Sequence, residues 1–269
     1  MEHKHLVMSR QTHTLHLASL LFITASLAVT TSIEASAQLT NELNPKERVW
    51  DKAKDAFEKK QYALAMNVFE EFLEQSNDPN SDRHVEAEYT VAICALNLYH
   101  KDAEYRVDAF TERYPESIYV QDAFWAIADH HYKRRHFKKA VEAFNIVDLR
   151  QLPKKLQREL RFKRGHSLFE EERYDEARFD LFEVMKKPGA FLEPATYYFS
   201  HIAYINDNPQ VALEGFESIA DHPDFSELVP VYIAQTMHTT QQFSRLKTYG
   251  SELLEKSSGI EEDMRTEIA

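Results

Sequence analysis

Glycine and cysteine are scarce in this chain, which contains five glycines and one cysteine in 269 residues. Tight β-turns and glycine-rich phosphate loops need positive φ angles or close backbone approach, which glycine supplies. A fold built on β-hairpins and a glycine-rich nucleotide loop are therefore both excluded. A single cysteine also excludes an intramolecular disulfide framework, so stability must come from packing.

The nine prolines all lie between apolar periodic segments and never inside one. Because proline breaks the interior of a helix, this placement is typical of an array of short helices. Hydrophobic residues at 43% can form a core, and charged residues at 28% indicate a well-solvated exterior. The cysteine, Cys94, lies among Val91, Ala92 and Ala95 and is predicted to be a buried, unreactive thiol.

The first 37 residues have the pattern of a signal peptide. Lys4 and Arg10 precede an apolar run over 17–29, and Ala35-Ser36-Ala37 supplies the small residues that a signal peptidase requires. The run is shorter than the roughly 20 residues that span a bilayer as a helix. We expect cleavage near Ala37, a linker over 38–45, and a soluble mature chain in the periplasm or secreted. No cysteine directly follows the cleavage site, so a lipoprotein is not expected. Because the apolar run is short, no integral membrane span is expected either.

A short motif recurs along the rest of the chain. A small residue, or once a leucine, is followed four and seven positions later by residues that are nearly all apolar. The copies begin at Ala65, Ala103, Ala140, Ala177, Ala212 and Leu246, so their spacings are 38, 37, 37, 35 and 34 residues. Steps of four and seven lie on one face of a helix. A period of this size with two helical segments per unit predicts stacked helical repeats.

Each repeat is predicted to contain two antiparallel helices. In the third, they cover about 119–134 and 137–149, joined by a short connection at His136-Phe137. Small residues at Ala128 and Ala140 let the two backbones approach closely. Because one pair cannot bury its apolar face alone, neighbouring pairs must stack. The predicted fold class is therefore all-α, a right-handed superhelical solenoid of about six helix-turn-helix repeats.

The chain resembles the tetratricopeptide repeat (TPR) family over about residues 46–256. Besides the repeat motif, the phrase Phe110-Thr111-Glu112-Arg113-Tyr114-Pro115-Glu116-Ser117 and the segments 195–204 and 229–235 are similar to exported multi-repeat TPR proteins of diderm bacteria, of BamD-like and cell-envelope types. The repeats are predicted at about 46–79, 83–116, 119–153, 156–188, 192–223 and 226–256, leaving 257–269 as an incomplete further repeat or capping helix. The loop around His100 is expected to be one residue short.

In the TPR family, ligands usually lie in a concave groove lined by the first helix of each repeat. The resemblance implies that this groove binds a peptide or protein through an aromatic stripe, which consists of Trp50, Trp125, Asp129, Tyr132, Phe162, His166, Tyr197, His201 and Tyr204. Aromatic anchors give a large contact area at low entropic cost. The alternative is that Phe57, Tyr132, Phe169 and Tyr204 are only core. The Lys/Asn clamp that some members use for a terminal carboxylate is absent.

Basic residues are concentrated between 133 and 164. This segment contains twelve basic and three acidic residues, although the whole chain has a net charge of −12. This basic belt could meet an anionic partner surface or lipid headgroups, because its field acts over about 8–10 Å. A merely solvated surface is the alternative. The predicted anionic-partner patch is Lys133, Arg134, Arg135, Lys138, Lys139, Lys154, Lys155 and Arg158. Nucleic acid is not expected as a partner of an exported acidic chain.

No catalytic or metal-binding constellation is predicted. The adjacent His130 and His131 point about 100° apart on a helix, and neither has a histidine or cysteine at i+4. Ser200 and His201 are sequence neighbours on one helix and cannot form the geometry of a nucleophile and its base. We therefore expect no enzyme activity, no cofactor and no metal.

The resulting hypothesis is a periplasmic scaffold or adaptor that binds a peptide segment or an envelope protein, such as an outer-membrane assembly component. Two alternatives remain, namely a chaperone for outer-membrane proteins and a regulatory domain of a longer chain. Ile260, Met264 and Ile268 begin another amphipathic segment at the end of the sequence. Because a helical array normally closes with a polar cap, this segment predicts either continuation of the array or self-association there.

Overall fold

The computed structural model describes residues 45–256, which form twelve α-helices and one 3₁₀ turn. The helices are α1 (Pro45–Glu58), α2 (Tyr62–Glu74), α3 (Asp82–Asn97), α4 (Ala103–Arg113), α5 (Val120–Lys133), α6 (Phe137–Ile146), α7 (Lys154–Glu170), α8 (Tyr174–Met185), α9 (Leu192–Ile205), α10 (Pro209–Ile219), α11 (Val229–Thr239) and α12 (Phe243–Lys256). The predicted signal peptide, the linker up to residue 44 and the segment 257–269 lie outside the described residues.

The chain divides into two compact units between Leu98 and Tyr99. In the first unit, α1 packs on α2 and α2 packs on α3. In the second unit, each helix from α4 to α12 packs on the next along the chain, and α7 also contacts α5 and α9. Within this unit the hairpins therefore stack in sequence order, as a repeat architecture requires.

The recurring motif forms the core. All three positions of its first five copies are buried, from Ala65, Phe69 and Phe72 through to Ala212, Phe216 and Ile219. The small residue lets a first helix approach closely, and the larger residues fill the space between hairpins. The spacing in the sequence is thus the spacing of the packed stripe on every second helix.

The third hairpin shows how the helices end. Helices α5 and α6 lie where the sequence predicts them, but α6 ends at Ile146, three residues earlier than expected. Val147 is already extended, and a 3₁₀ turn follows over Leu149–Gln151. The Asp148 side chain caps this turn by accepting a hydrogen bond from the backbone N–H of Arg150 at 3.0 Å.

Cys94 is completely buried in α3, as predicted. Burial raises the pKa of its thiol to about 12, with Glu70 acting in the same direction. Because the thiolate is the reactive form, this cysteine is unreactive at neutral pH.

The loop between α3 and α4 is longer than predicted, and the expectation of a missing residue at His100 was wrong. It spans residues 98–102, whereas the connections in the other five hairpins contain three residues each. In the last turn of α3 the Asn97 side chain donates to the Ile93 carbonyl at 2.8 Å, and Tyr99 in the loop is left-handed with a φ of 56°. The two compact units divide within this loop.

Among the described residues, the loop between the two helices of each of the six repeats contains a left-handed residue that is not glycine. These residues are Lys60, Tyr99, Arg135, Glu172, Asp207 and Gln241, with φ between 54° and 58°. At Glu172, its own N–H bonds to the Phe169 carbonyl at 3.0 Å, and the next N–H bonds to the Leu168 carbonyl at 2.9 Å, which is the Schellman pattern. A side chain in this conformation costs roughly 1–2 kcal/mol, so each loop is closed at some expense.

Replacing Glu172 with glycine is expected to stabilise the protein by about 0.5–1 kcal/mol, because relief of the left-handed strain exceeds the entropic cost of glycine. Urea denaturation followed by circular dichroism measures the change. The matched control is Glu171→Gly. Because φ is −91° there, glycine relieves no strain and only adds its entropic cost. Equal effects of the two substitutions would contradict this account of the loop.

Candidate functional site

The predicted aromatic stripe lies on first helices of the hairpins, with Trp50 in the first unit and the other eight residues in the second. The Trp50 ring packs edge-on against Phe69, with ring centres 5.5 Å apart, and lies tilted against Phe72, with ring centres 5.0 Å apart. Arg83 lies over the same ring at 5.3 Å. With 8% of its surface exposed, Trp50 is a core residue in this structure.

A half-buried lysine joins the first helices of the third and fourth hairpins. Lys163 of α7 lies 2.5 Å from an oxygen of Asp129 on α5 and 2.6 Å from one of Glu159. Its ammonium also lies 5.2 Å from the centre of the Trp125 ring and 5.6 Å from that of Tyr132. Two carboxylates and two rings therefore hold one cation, an arrangement that stabilises each partner.

Asp129 remains ionised in this arrangement. Burial raises the pKa of its carboxyl, but hydrogen bonds from Lys133 and Lys163 outweigh burial and hold the pKa below its usual value. At neutral pH the pair Asp129–Lys163 is therefore a charged link between α5 and α7.

A second link connects Tyr132 of α5 to His166 of α7. The Tyr132 hydroxyl lies 2.8 Å from Nδ1 of His166, and Nε2 of His166 lies 3.2 Å from a Glu170 carboxylate oxygen. The Glu170 carboxylate can only accept, so Nε2 carries the proton and Nδ1 accepts from the tyrosine. The Tyr198 ring of α9 stacks on His166 at 4.5 Å. Burial lowers the pKa of His166 even though Glu170 favours the charged form, so the ring is neutral at neutral pH.

His201 of α9 lies in an aromatic cluster. Its ring centre is 4.3 Å from that of Tyr232, 4.6 Å from Tyr197 and 5.1 Å from Phe216. Its Nε2 atom is buried and has no hydrogen-bond partner within residues 45–256. Burial lowers the pKa of His201 to about 4.

The stripe residues differ in how far they reach the surface. Phe162, at 9% exposed, is core like Trp50, while Trp125, Tyr132, His166, Tyr197 and His201 are half-buried. Tyr204 is 38% exposed, and its hydroxyl lies 3.4 Å from Oγ1 of Thr239 on α11. The structure thus brings the stripe together from repeat to repeat. That it binds a partner stays a prediction.

Sequence reasoning missed two residues of this site, Lys163 and Tyr198. Asp129 and Lys163 are 34 residues apart, as are Tyr132 and His166. Complementary side chains one repeat apart were therefore a usable signal. Tyr198 directly follows Tyr197, and the repeat register assigned only one of the two to the groove.

The structure divides the predicted anionic-partner patch. Lys133 pairs with Asp129 at 2.7 Å, Lys139 with Glu104 at 3.0 Å, and Arg135 lies 3.9 Å from Glu170. Arg134 lies over the Tyr99 ring at 6.0 Å. Arg158 donates to backbone carbonyls at the end of α8. Among the described residues, Lys138, Lys154 and Lys155 have no acidic partner, so much of the belt is neutralised within the protein.

The surface cavities among the described residues of the second unit include the two that follow. One, of about 390 Å³, lies between α8 and α9 and is lined by Asp175, Arg178, Phe179, Phe182 and Phe199. The other, of about 370 Å³, is formed by α10, α11 and α12. Neither is lined by a stripe residue. Across residues 45–256, no three histidine, cysteine or acidic side chains converge as metal ligands would. No helix in the same range has the length and apolar character to cross a bilayer.

Acid is expected to destabilise the protein through histidines whose pKa is lowered by burial of their rings. The pKa of His201 is about 4 in the folded state and about 6.5 when exposed, so between these values only the unfolded state binds the proton. Its contribution is therefore complete above about pH 6.5 and is lost as the pH falls towards 4. Burial lowers the pKa of His131 and His166 in the same direction. For His201, which is partly screened by solvent, we expect a loss of about 1–2 kcal/mol by pH 5.

Urea denaturation at pH 7 and pH 5 tests this expectation. His201→Phe keeps an aromatic ring but cannot be protonated, so its stability should change less with pH than that of the wild type. The control is His100→Gln at an exposed position in a loop. An unchanged pH dependence in His201→Phe would show that the histidine is not buried as described.

Solved structures that are similar to this chain are TPR proteins. The apo form of RapI matches with a TM-score of 0.53 and 14% identity, over 78% of this chain and 89% of that chain. A tetratricopeptide repeat protein from Parabacteroides merdae ATCC 43184 matches with a TM-score of 0.52 and 11% identity, over 79% and 80% of the two chains. MamA, in the form MSR-1 C2, matches with a TM-score of 0.50 and 14% identity, over 67% and 98%.

No protein-family model matches the sequence, and no curated protein matches it. At identities this low, the structural likeness establishes the fold alone. The chain has the fold of the tetratricopeptide repeat proteins, and the predicted fold class, an all-α TPR solenoid, is confirmed.

Proposed function

We propose that the protein is a non-catalytic scaffold or adaptor that binds a segment of another protein along the first helices α5, α7, α9 and α11. We call this surface the inner face. The observation that carries the proposal is a set of side-chain links between first helices. Asp129–Lys163 and Tyr132–His166 join α5 to α7, and Tyr204–Thr239 joins α9 to α11.

These links hold the half-buried rings in place before any partner arrives. Side chains that are already ordered lose little rotamer entropy on binding, and aromatic rings supply a large contact area. Packed helices lie about 8–10 Å apart, which is about three residues of an extended chain. An extended segment could therefore place one apolar side chain against each successive hairpin.

We propose further that the protein acts in the periplasm of a diderm bacterium, on an envelope partner. The support is the signal-peptide pattern before Ala37 and the similarity of residues 110–117 to exported, BamD-like TPR proteins. N-terminal sequencing of protein from a periplasmic extract should begin near Gln38. An unprocessed N-terminus on protein recovered from the cytoplasm would contradict this location.

The binding test needs substitutions that leave the core intact. Replacing Trp125, Phe162 and Tyr197 together with alanine would remove packing, since Phe162 is buried and Trp125 lies 5.8 Å from the core ring of Phe144. The sharper variant is Tyr204→Ser with Lys133→Glu, because both side chains are exposed on the inner face. The matched control is Tyr105→Ser, an exposed tyrosine on the second helix α4.

In a pull-down from an envelope fraction, we expect wild type and control to retain the same discrete partner. The inner-face variant should retain about tenfold less, because loss of an interface anchor commonly costs more than 1 kcal/mol. A broad set of unfolded outer-membrane proteins would favour the chaperone alternative. Identical capture by all three forms would contradict binding at the inner face. Circular dichroism confirms that each variant is folded.

A further inference from the structure

Helix α8 exposes two phenylalanine rings. Phe179 is 62% exposed and Phe182 is 50% exposed, although α8 already buries a separate stripe against its neighbours. With the half-buried Phe199 of α9, they form what we call the phenylalanine patch, which lines the 390 Å³ cavity. Contiguous exposed apolar surface of this kind marks interaction sites on soluble proteins. Its two exposed rings lie on a second helix, and the patch contains no residue of the predicted aromatic stripe.

Basic side chains surround the phenylalanine patch. Arg161 lies over the Phe179 ring at 5.9 Å and Lys186 over the Phe182 ring at 5.2 Å. Both are also paired, Arg161 with Asp180 and Lys186 with Glu183. These two cations therefore shape the patch but add little net charge to it.

Unpaired cations supply the net charge. Arg158 donates to the carbonyls of Pro188 at 2.6 Å and Val184 at 2.9 Å, which ties the start of α7 to the end of α8. Lys154 and Lys155 lie within one turn of Arg158 on α7, and the Lys187 carbonyl also accepts from Arg158, so these three lysines belong to the same end of the α7–α8 hairpin. In the part of the chain that is described, these three lysines and Arg178 have no acidic partner. We call these four residues the basic rim. The nearest acid of the cavity wall, Asp175, offsets only part of this charge.

We propose that the phenylalanine patch and its basic rim dock an acidic amphipathic helix from a partner protein, separately from the inner face. Asp175, Phe179, Phe182 and Lys186 follow one another at steps of four, three and four residues, so the exposed stripe runs along α8 as a helix-binding surface does. The cavity between α8 and α9 accepts a protruding apolar side chain, which a flat lipid surface does not provide. The basic rim selects an acidic flank on that helix and rejects a basic one.

The test uses a fluorescein-labelled synthetic helix with leucine and phenylalanine on one face and glutamate on the other. A second peptide has lysine in place of every glutamate. Fluorescence anisotropy with the full chain should show that the acidic peptide binds at least about tenfold more tightly than the basic one, and that added salt weakens it. Phe179→Ser with Phe182→Ser should weaken binding about tenfold. Lys154→Glu with Lys155→Glu and Lys187→Glu should do the same, while Tyr204→Ser should bind as wild type does.

Three results would overturn the proposal. They are equal affinity for both peptides, no effect of the phenylalanine or lysine substitutions, and equal weakening by Tyr204→Ser. Vesicles containing phosphatidylglycerol form a further arm. Binding to them through the same residues, without binding of the acidic peptide, would assign the surface to lipid and reject the helix. All the substituted side chains are exposed, so the variants should fold. None of these results decides whether the inner face binds a protein, because that function is tested separately by Tyr204→Ser with Lys133→Glu.

Discussion

Replacing Asp180 with alanine is expected to lower the free energy of unfolding by about 2–4 kcal/mol. Only 1% of Asp180 is exposed, yet its carboxylate accepts from Arg161 at 3.1 Å and from Arg164 at 2.6 and 2.9 Å. Removing one partner of a buried ion pair typically costs 3–5 kcal/mol, because the remaining charge is left without compensation. The two arginines are partly exposed and can recover some hydration, so the expected loss is about 1 kcal/mol smaller than that range.

Urea denaturation measures this loss, and two further variants interpret it. Asp180→Asn keeps the shape and one acceptor, so it should lie between alanine and wild type. Asp175→Ala removes an exposed carboxylate from the same helix and should change stability by no more than about 0.5 kcal/mol. If Asp180→Ala were as stable as Asp175→Ala, the buried pair would not hold α7 to α8.

Replacing Gly165 with leucine is expected to cost about 3 kcal/mol. A Cβ atom at this position would lie 3.0 Å from Cγ of Leu181 and 3.3 Å from Cβ of Asp180, so α7 and α8 touch through the glycine. The rest of a leucine side chain would force the hairpin apart, and overpacking of a tight core costs roughly 1–3 kcal/mol or somewhat more.

Gly165→Ala separates this packing effect from the general effect of changing a helical glycine. Alanine is favoured over glycine in a helix by about 1 kcal/mol, which offsets a contact that Leu181 can relieve by a small shift. Thermal unfolding should therefore show near wild-type stability for Gly165→Ala and a large loss for Gly165→Leu. Similar stability of the two variants would show that close backbone approach is not required in this hairpin.

The fold could be predicted because its signal is local. Ala140, Ala177 and Ala212 recur at nearly one period and are all completely buried, so the period of the motif is the period of the packing. The starts of the helices could be predicted from the same buried stripe. The end of α6 could not be predicted, because the capping by Asp148 depends on a side-chain rotamer that no period encodes.

The candidate site was only partly predictable, because its details depend on what the next repeat places alongside. The repeat register placed Tyr132 and His166 on the first helices of successive repeats. It could not show that their side chains bond directly. It also could not show that neighbouring packing would leave Phe162 almost covered. The basic belt is a similar case. Counting the charges within residues 133–164 ignores acidic partners elsewhere in the chain, such as Glu104, which lies 35 residues from Lys139.

Site-specific photo-crosslinking asks whether the inner face touches another protein. A benzophenone amino acid replaces Tyr204 on the inner face or, in a second form, Tyr105 on α4, and each full-length chain is irradiated in an envelope extract. We expect a discrete protein to crosslink from position 204 and not from position 105. A crosslink from position 105 alone, or the same product from both positions, would contradict it.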